Sequence, residues 1–162
     1  MSNDDDAAMR KVTELLHDHR FGMLTTTAQD GTLVSRPMTM QEVEFDGDLW
    51  FFAERESRKI AHIGANPRVN VACGSGTDWV SVSGSATVVD DRDRVHELWN
   101  GGAQAWFPDG PDSPSVVLLR VRAEGAEYWD VPGGRLATLV NLLKARATGE
   151  RFDAGENATT RM

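Results

Sequence analysis

Three consecutive side chains, Ser57, Arg58 and Lys59 in ESRKIAHIGANP, place a hydroxyl and two cations at what reads as the mouth of a short helix. Ser57 suits an N-cap, but cations in a first turn face the positive end of the helix dipole, a local cost that an anion at that position reverses. Arg36, in SRPM, adds a third cation one hairpin upstream, on a strand whose Pro37 cannot donate to a ladder and so marks an edge or a bulge. Each of these is an ordinary surface residue when taken alone; together, on neighbouring elements, they can converge. A phosphate dianion held by them would make several charge-assisted hydrogen bonds, each worth about 1.5–3 kcal/mol, while occupying the helix N-terminus.

Other chemistries lack their residues. His17, His19, His62 and His96 show no HExxH spacing and are spread over three separate predicted helices, so they read as solvated surface histidines and not as metal ligands. No GxSxG, Walker-type or GxGxxG motif occurs, which removes the support for acyl transfer, P-loop phosphoryl transfer and a Rossmann cofactor. The single cysteine, Cys73, has no partner for a disulfide or a CxxC pair, and shares strand parity with Val69 and Val71 in VNVACGS; it reads as a buried structural thiol in a reducing compartment. Seventeen basic against twenty-five acidic residues give a net charge of −8, which argues against nucleic acid and anionic membrane as partners and for a small-molecule ligand. The acidic start MSNDDDAAMRK is unlike a signal peptide and no apolar run is long enough to span a bilayer, so the expected location is the cytoplasm.

The elements that must position the cations follow from periodicity. Met9, Val12, Leu15 and Leu16 predict a helix over residues 7–19. FGMLTTT and TLVSRPMTM read as strands joined at Asp30-Gly31, and VEF and LWFFA as a second hairpin around Asp46-Gly47-Asp48. The helix from Ser57 ends at Asn66-Pro67, since the residue before proline is pushed out of the α region. RVNVACGS and WVSVSGSATVV predict two further strands, Asp90 and Asp91 open a helix running through Trp99, and residues 101–114 read as an irregular loop with Trp106 and Phe107 at its tip. SVVLLRVRA and AEYWDV predict the last strands, and Leu136, Leu139, Val140 and Leu143 a closing helix. The expectation is one domain over residues 1–147 and a polar, loose tail over 148–162. Its fold class is mainly β, a small antiparallel barrel with peripheral helices.

The segments SRPMTM, LWFFAERESRKIAHIGANPRV, WVSVSGSA and EYWDVPGGRL, in that order, resemble the FMN-binding split barrels of the pyridoxamine 5′-phosphate oxidase superfamily, and AWFPDGPDSP resembles the loop of their general stress protein branch. The likeness runs from Leu15 to Lys144. It implies a six-stranded antiparallel split barrel, assembled as a homodimer with two flavin sites at the interface.

Residue by residue, the resemblance implies that Arg36, Arg58 and Lys59, with Ser57 beside them, bind the FMN phosphate. Met38 and Thr39 fall on the strand whose backbone meets the flavin ring, and Phe52 and Ala53 on the strand that covers it. Trp79 falls where the oxidases use a glutamine near the flavin, and Trp129 where they use a tryptophan from the second subunit. Trp106 and Phe107 are expected as a lid, whereas Trp50 is expected to pack in the core. Two departures count against vitamin B6 phosphate oxidation. Gln41 stands where the oxidases have a lysine, and the substrate pair keeps Arg135 but has Ala137 in place of its histidine. The implied function is that of a flavin-dependent oxidoreductase or flavin reductase, with flavin storage without turnover as the alternative and FAD or a deazaflavin as alternative cofactors.

Overall fold

The computed structural model describes residues 3–130 and 156–161. Helix α1 (Asn3–Asp18) is followed by strands β1 (Phe21–Thr27), β2 (Leu33–Thr39) and β3 (Asp48–Glu54), then α2 (Arg58–Ala65), β4 (Arg68–Ser75) and β5 (Asp78–Val89). Helices α3 (Arg92–Leu98) and α4 (Gly101–Trp106) precede the long β6 (Val116–Asp130) and a terminal β7 (Glu156–Arg161).

Six strands lie in the order β2-β1-β4-β5-β6-β3, each pair antiparallel, with β7 added on β6. This is the expected split barrel. Its ends curl toward each other: Met40 N donates to Arg20 O at 2.8 Å, extending the β1–β2 ladder, and Gln41 N donates to Trp50 O at 2.9 Å, bridging from the end of β2 to β3. The curl is assisted by a bulge, where Ser83 opposes Gly125 but Gly84 opposes Ala123, leaving Glu124 as the extra residue. Gly84 is required there because a Cβ would stand 2.0 Å from the Arg122 carbonyl oxygen.

Alternation fills the barrel. Leu24, Phe51, Val71, Val80, Val82, Leu119 and Val121 point inward and are fully buried, and α1 closes one side with Val12, Leu15 and Leu16. A second core lies outside the barrel, where Phe52, Val116 and Leu118 meet Val95, Leu98 and Ala103 of α3 and α4. Burial on both faces explains why β6 begins with the unbroken apolar run VVLL rather than an alternating one.

Several sequence expectations need correction. VEF is not a strand: β3 takes its partner from β6 instead, Val43 N turns back to Gln41 O at 3.0 Å, and Val43 and Phe45 are spent on the two cores. The turn itself is present, with Gly47 at φ 102°. Residues 101–106, expected as loop, form α4 because the Asn100 side chain accepts from Ala103 N at 3.0 Å, and burial of Ala103 supports the Gly-Gly start. Within the tail expected to be loose, β7 pairs with Gly125–Asp130, the part of the β6 edge that β3 leaves open. The predicted closing helix, with Leu136, Leu139, Val140 and Leu143, lies outside the described residues, as does Arg135.

Candidate functional site

Strand β2 is an edge, one of the two placements Pro37 allows, and Arg36 on it lies directly opposite Leu24, on the inward face of the hairpin. From there its guanidinium reaches across β1: Nη1 donates to Thr26 Oγ1 at 2.7 Å and to Leu24 O at 3.2 Å. Helix α2 packs over this end of β1, anchored by buried Ile63. Its first turn brings the other two cations to Arg36. Burial, and then the neighbouring Arg58 charge, hold Arg36 below the usual guanidinium range; burial, and then the Arg36 charge, do the same to the Lys59 ammonium. The three cations predicted to converge do so.

Ser57 occupies the N-cap position in extended backbone, φ −74° and ψ 151°, yet its hydroxyl donates back to Glu54 O at 2.7 Å and accepts nothing from the first turn. The amides of Arg58 and Lys59, first in the helix, therefore have neither a partner within it nor a side-chain cap. Among the described residues, no carboxylate lies within ion-pair distance of Arg36, Arg58 or Lys59, although eleven such pairs occur elsewhere in the chain. Three like charges and an open helix start thus share one place without an ion-pair partner, an arrangement that fits an anion.

The predicted ring-binding residues divide. Ala53 is buried in the barrel core and the half-buried Met38 packs against that core. Thr39 is half-buried at the end of β2. Phe52 turns its ring away from the barrel, onto Trp99 at 5.3 Å and Phe107 at 6.4 Å between centroids. Trp50 packs as expected, under the Arg94 guanidinium at 4.7 Å.

Trp79 and Trp129 face each other across β5 and β6, at the opposite end of the strands from Thr26 and α2. Trp79 is 50% exposed and lies across Gly74, where a Cβ would stand 2.7 Å from its ring. By register Trp79 shares the outer face with the exposed Phe21, Met23, Leu33 and Pro37, and with the polar Thr25, Ser35, Asn70 and Ser81 between them.

The expected lid pair is split. Trp106 ends α4 with 78% of its surface exposed, but Phe107 is drawn into the second core. The segment after it is tied down rather than loose. Arg92 Nη1 donates to Pro111 O at 2.8 Å and Ser113 O at 3.0 Å, Arg55 Nε donates to Pro114 O at 2.8 Å, and both arginines grip Asp90, whose carboxyl they hold below the usual range. Trp106, Phe107, Asp109, Ser113 and Glu54 line a small cavity of about 160 Å³. Glu54 also raises the pKa of Lys59 slightly through its charge, so this cavity adjoins the cation cluster. A larger cavity of about 600 Å³, between α1 and residues 40–50, is remote from the cluster and lined by Arg20, Glu42, Glu44 and Asp48.

Two residues were missed. His62 is not a solvated histidine: Nδ1 stands 2.9 Å from Thr26 Oγ1, and Thr26 is itself 1% exposed. The signal was present, since His62 follows Arg58 by four residues and Lys59 by three and so shares their helix face, while Thr26 follows Leu24 by two on the inward face. His19 is likewise engaged, with Asp78 at 3.0 Å. Cys73 is buried as expected, its thiol pushed up to about 11 by burial and by the Asp78 charge. Among the described residues, no three His, Cys, Asp or Glu gather as a metal site, and no helix is long and apolar enough to cross a membrane.

The chain is similar to known proteins in sequence and in fold. Protein bli-3 of Neurospora crassa is 33% identical over 135 residues, which cover 76% of this chain and 65% of that protein, so the match spans less than two thirds of its length. A Jannaschia sp. CCS1 structure assigned as a general stress protein 26 superposes with a TM-score of 0.76 at 28% identity, covering 97% of this chain and 99% of the other. The general stress FMN/FAD binding protein of Xanthomonas citri superposes with a TM-score of 0.67 at 32% identity, covering 77% and 89%. Residues 7–153 match the family described as pyridoxamine 5′-phosphate oxidase like, a span that holds the split barrel and the whole cation cluster. With fold and sequence in agreement, the chain belongs to the pyridoxamine 5′-phosphate oxidase-like family, in its general stress protein branch.

Proposed function

We propose that this protein binds FMN, with the phosphate on Arg36, Arg58, Lys59 and the open start of α2. The observation that carries the reading is a cluster of cations with no ion-pair partner among the described residues, in which the Arg58 charge depresses Arg36 and the Arg36 charge depresses Lys59, around a helix N-terminus whose Ser57 does not cap it. A phosphate there supplies the missing counter-charge and accepts from groups that are otherwise idle. The relative from Xanthomonas citri that binds FMN or FAD supports a flavin as the bearer of that phosphate.

The same reading makes the protein a homodimer. Phe21, Leu33 and Trp79 are 69%, 71% and 50% exposed on one sheet face, where a second copy would cover them. The flavin ring then lies in the groove between the two chains, near the backbone of Met38, Thr39, Phe52 and Ala53, with Trp79 and the partner's Trp129 at its margin and Trp106 over it. The lone buried thiol suits a reducing compartment, and we place the protein in the cytoplasm.

The bound flavin supplies redox chemistry, and the chain supplies position and charge. The activity proposed is therefore that of a flavin-dependent oxidoreductase or flavin reductase. Flavin storage without turnover is the second reading, and Gln41 favours it. In place of the lysine of the oxidases stands a neutral side chain already spent on Thr39 O at 3.2 Å and on Asn100 Nδ2 at 2.7 Å.

The deciding measurement is equilibrium binding of FMN and of riboflavin, which lacks the phosphate. FMN should bind at least about 100-fold more tightly, the worth of roughly two charge-assisted hydrogen bonds. Equal affinities would refute the phosphate site. Mass analysis of chromophore released from purified protein distinguishes FMN from FAD or a deazaflavin. Oxidation of NADH or NADPH faster than free FMN supports separates the enzyme from the carrier.

A further inference from the structure

Thr26 is the polar residue buried deepest among the described side chains, and its hydroxyl joins two groups on different elements: Arg36 Nη1 at 2.7 Å and His62 Nδ1 at 2.9 Å. The protons in this chain can be assigned by counting. A guanidinium can only donate, so Thr26 Oγ1 accepts from Arg36. The hydroxyl has one proton left to place, and His62 Nδ1 is the one acceptor within hydrogen-bond distance among the described residues. A buried hydroxyl proton without an acceptor is costly, so Thr26 donates to Nδ1, and His62 is the neutral tautomer with its proton on Nε2.

We infer that Thr26 and His62 are positioning residues for the phosphate site: His62 fixes the rotation of the Thr26 hydroxyl, and Thr26 in turn fixes the guanidinium of Arg36. The consequence is geometric. Thr26 and the Leu24 carbonyl hold one edge of the guanidinium, at Nη1, which leaves Nε and Nη2 free for an anion at the start of α2. Because His62 sits one turn after Arg58 and Lys59, the same helix that carries two of the cations also locks the third. The charged groups around His62 are Arg58 and Lys59 on its own helix, Arg36 on β2, and Asp30 in the β1–β2 turn. Neutral His62 thus adds no fourth cation to the cluster.

This inference rests on the FMN reading, and the test separates the two. FMN and riboflavin affinities are measured for the full-length protein and for Arg36→Ala, Thr26→Val, Thr26→Ser, His62→Leu and His62→Asn, each with its melting temperature. Thr26→Val and His62→Leu should each lower the FMN-to-riboflavin preference about tenfold. Thr26→Ser, which keeps the hydroxyl, and His62→Asn, which keeps an acceptor near Nδ1, should restore it. In the Arg36→Ala background, Thr26→Val should have no further effect on FMN. If Arg36→Ala lowers the preference while Thr26→Val and His62→Leu leave it intact, or weaken both ligands equally, the positioning role is wrong and the phosphate site stands. If the unaltered protein does not prefer FMN, the phosphate site itself fails and this inference with it. His62→Leu lies on a half-buried helix face, so it decides the matter even if Thr26→Val does not fold.

Discussion

Arg36 on β2 and Arg58 at the start of α2 present like charges to each other across the end of the barrel, and the Arg58 charge helps to depress the Arg36 guanidinium. Such a pair costs stability in the ligand-free protein and returns that cost when an anion binds between the two. The double variant Arg58→Ala, Lys59→Ala should therefore lose FMN while its ligand-free form melts no lower than the parent. Two lost charge-assisted hydrogen bonds correspond to about 3–6 kcal/mol, or roughly 10²–10⁴ in Kd. Fluorescence titration and thermal melting check both halves. A double variant that keeps its full flavin complement would move the phosphate site elsewhere.

Lys59 should give FMN binding an alkaline limb. Its pKa lies below the usual lysine value because burial and the Arg36 charge disfavour the ammonium. As pH rises through that depressed pKa the ammonium is lost and FMN affinity should fall, whereas in Lys59→Arg, which stays charged, it should not. The sign for folding is opposite. Between the depressed folded pKa and the unfolded one, the unfolded chain binds more protons, so stability of the ligand-free protein rises with pH. A limb on the acid side is expected near pH 6, where the phosphate takes up its second proton, roughly as for phosphorylated side chains. Titrations across pH 5 to 11, with denaturation of the ligand-free form beside them, test each limb.

Much of the fold was legible because its signals are local. The alternation in FGMLTTT, the Asp30-Gly31 turn and the Asn66-Pro67 stop each act over a few residues, and the edge position of β2 was one of the two placements, edge or bulge, that Pro37 left open. What was not legible depends on partners distant in sequence. VEF has strand composition, but β3 found β6 first; GGAQAW has loop composition, but Asn100 caps it and the second core buries Ala103. At the site the charges were readable and the neutral members were not. A histidine reads as surface until Thr26, thirty-six positions earlier, is known to face it.

Gly84 should be intolerant of a side chain. A Cβ there would stand 2.0 Å from the Arg122 carbonyl oxygen and 3.2 Å from the Ala123 Cα, and backbone on a paired strand cannot give way cheaply. Gly84→Ala should cost about 3 kcal/mol, at the upper end for overpacking, by opening the bulge that bends β5 against β6. In urea the midpoint should fall with the slope unchanged, the mark of a stability loss without a change in the surface exposed. Retention of parental stability would mean that the bulge can shift register without cost.

Trp106 and Phe107 are adjacent, yet they should behave as opposites. Phe107 packs on Phe52 and Trp99, at 6.4 Å and 6.5 Å between centroids, so Phe107→Ala should cost about 2 kcal/mol, less than for a fully buried phenylalanine. Trp106 is 78% exposed and touches no other ring among the described residues, so Trp106→Ala should leave the melting temperature within about 1 °C. If Trp106 lies over the flavin, its loss should weaken FMN binding about three- to tenfold and raise the fluorescence of bound flavin, since a stacked indole quenches it. The segment behind it is held by Arg55 and Arg92, so the tryptophan is presented from a fixed base instead of a free loop. Unchanged flavin fluorescence in Trp106→Ala, with FMN still bound, would assign the indole to solvent or to the second subunit and leave the ring without a cover from this helix.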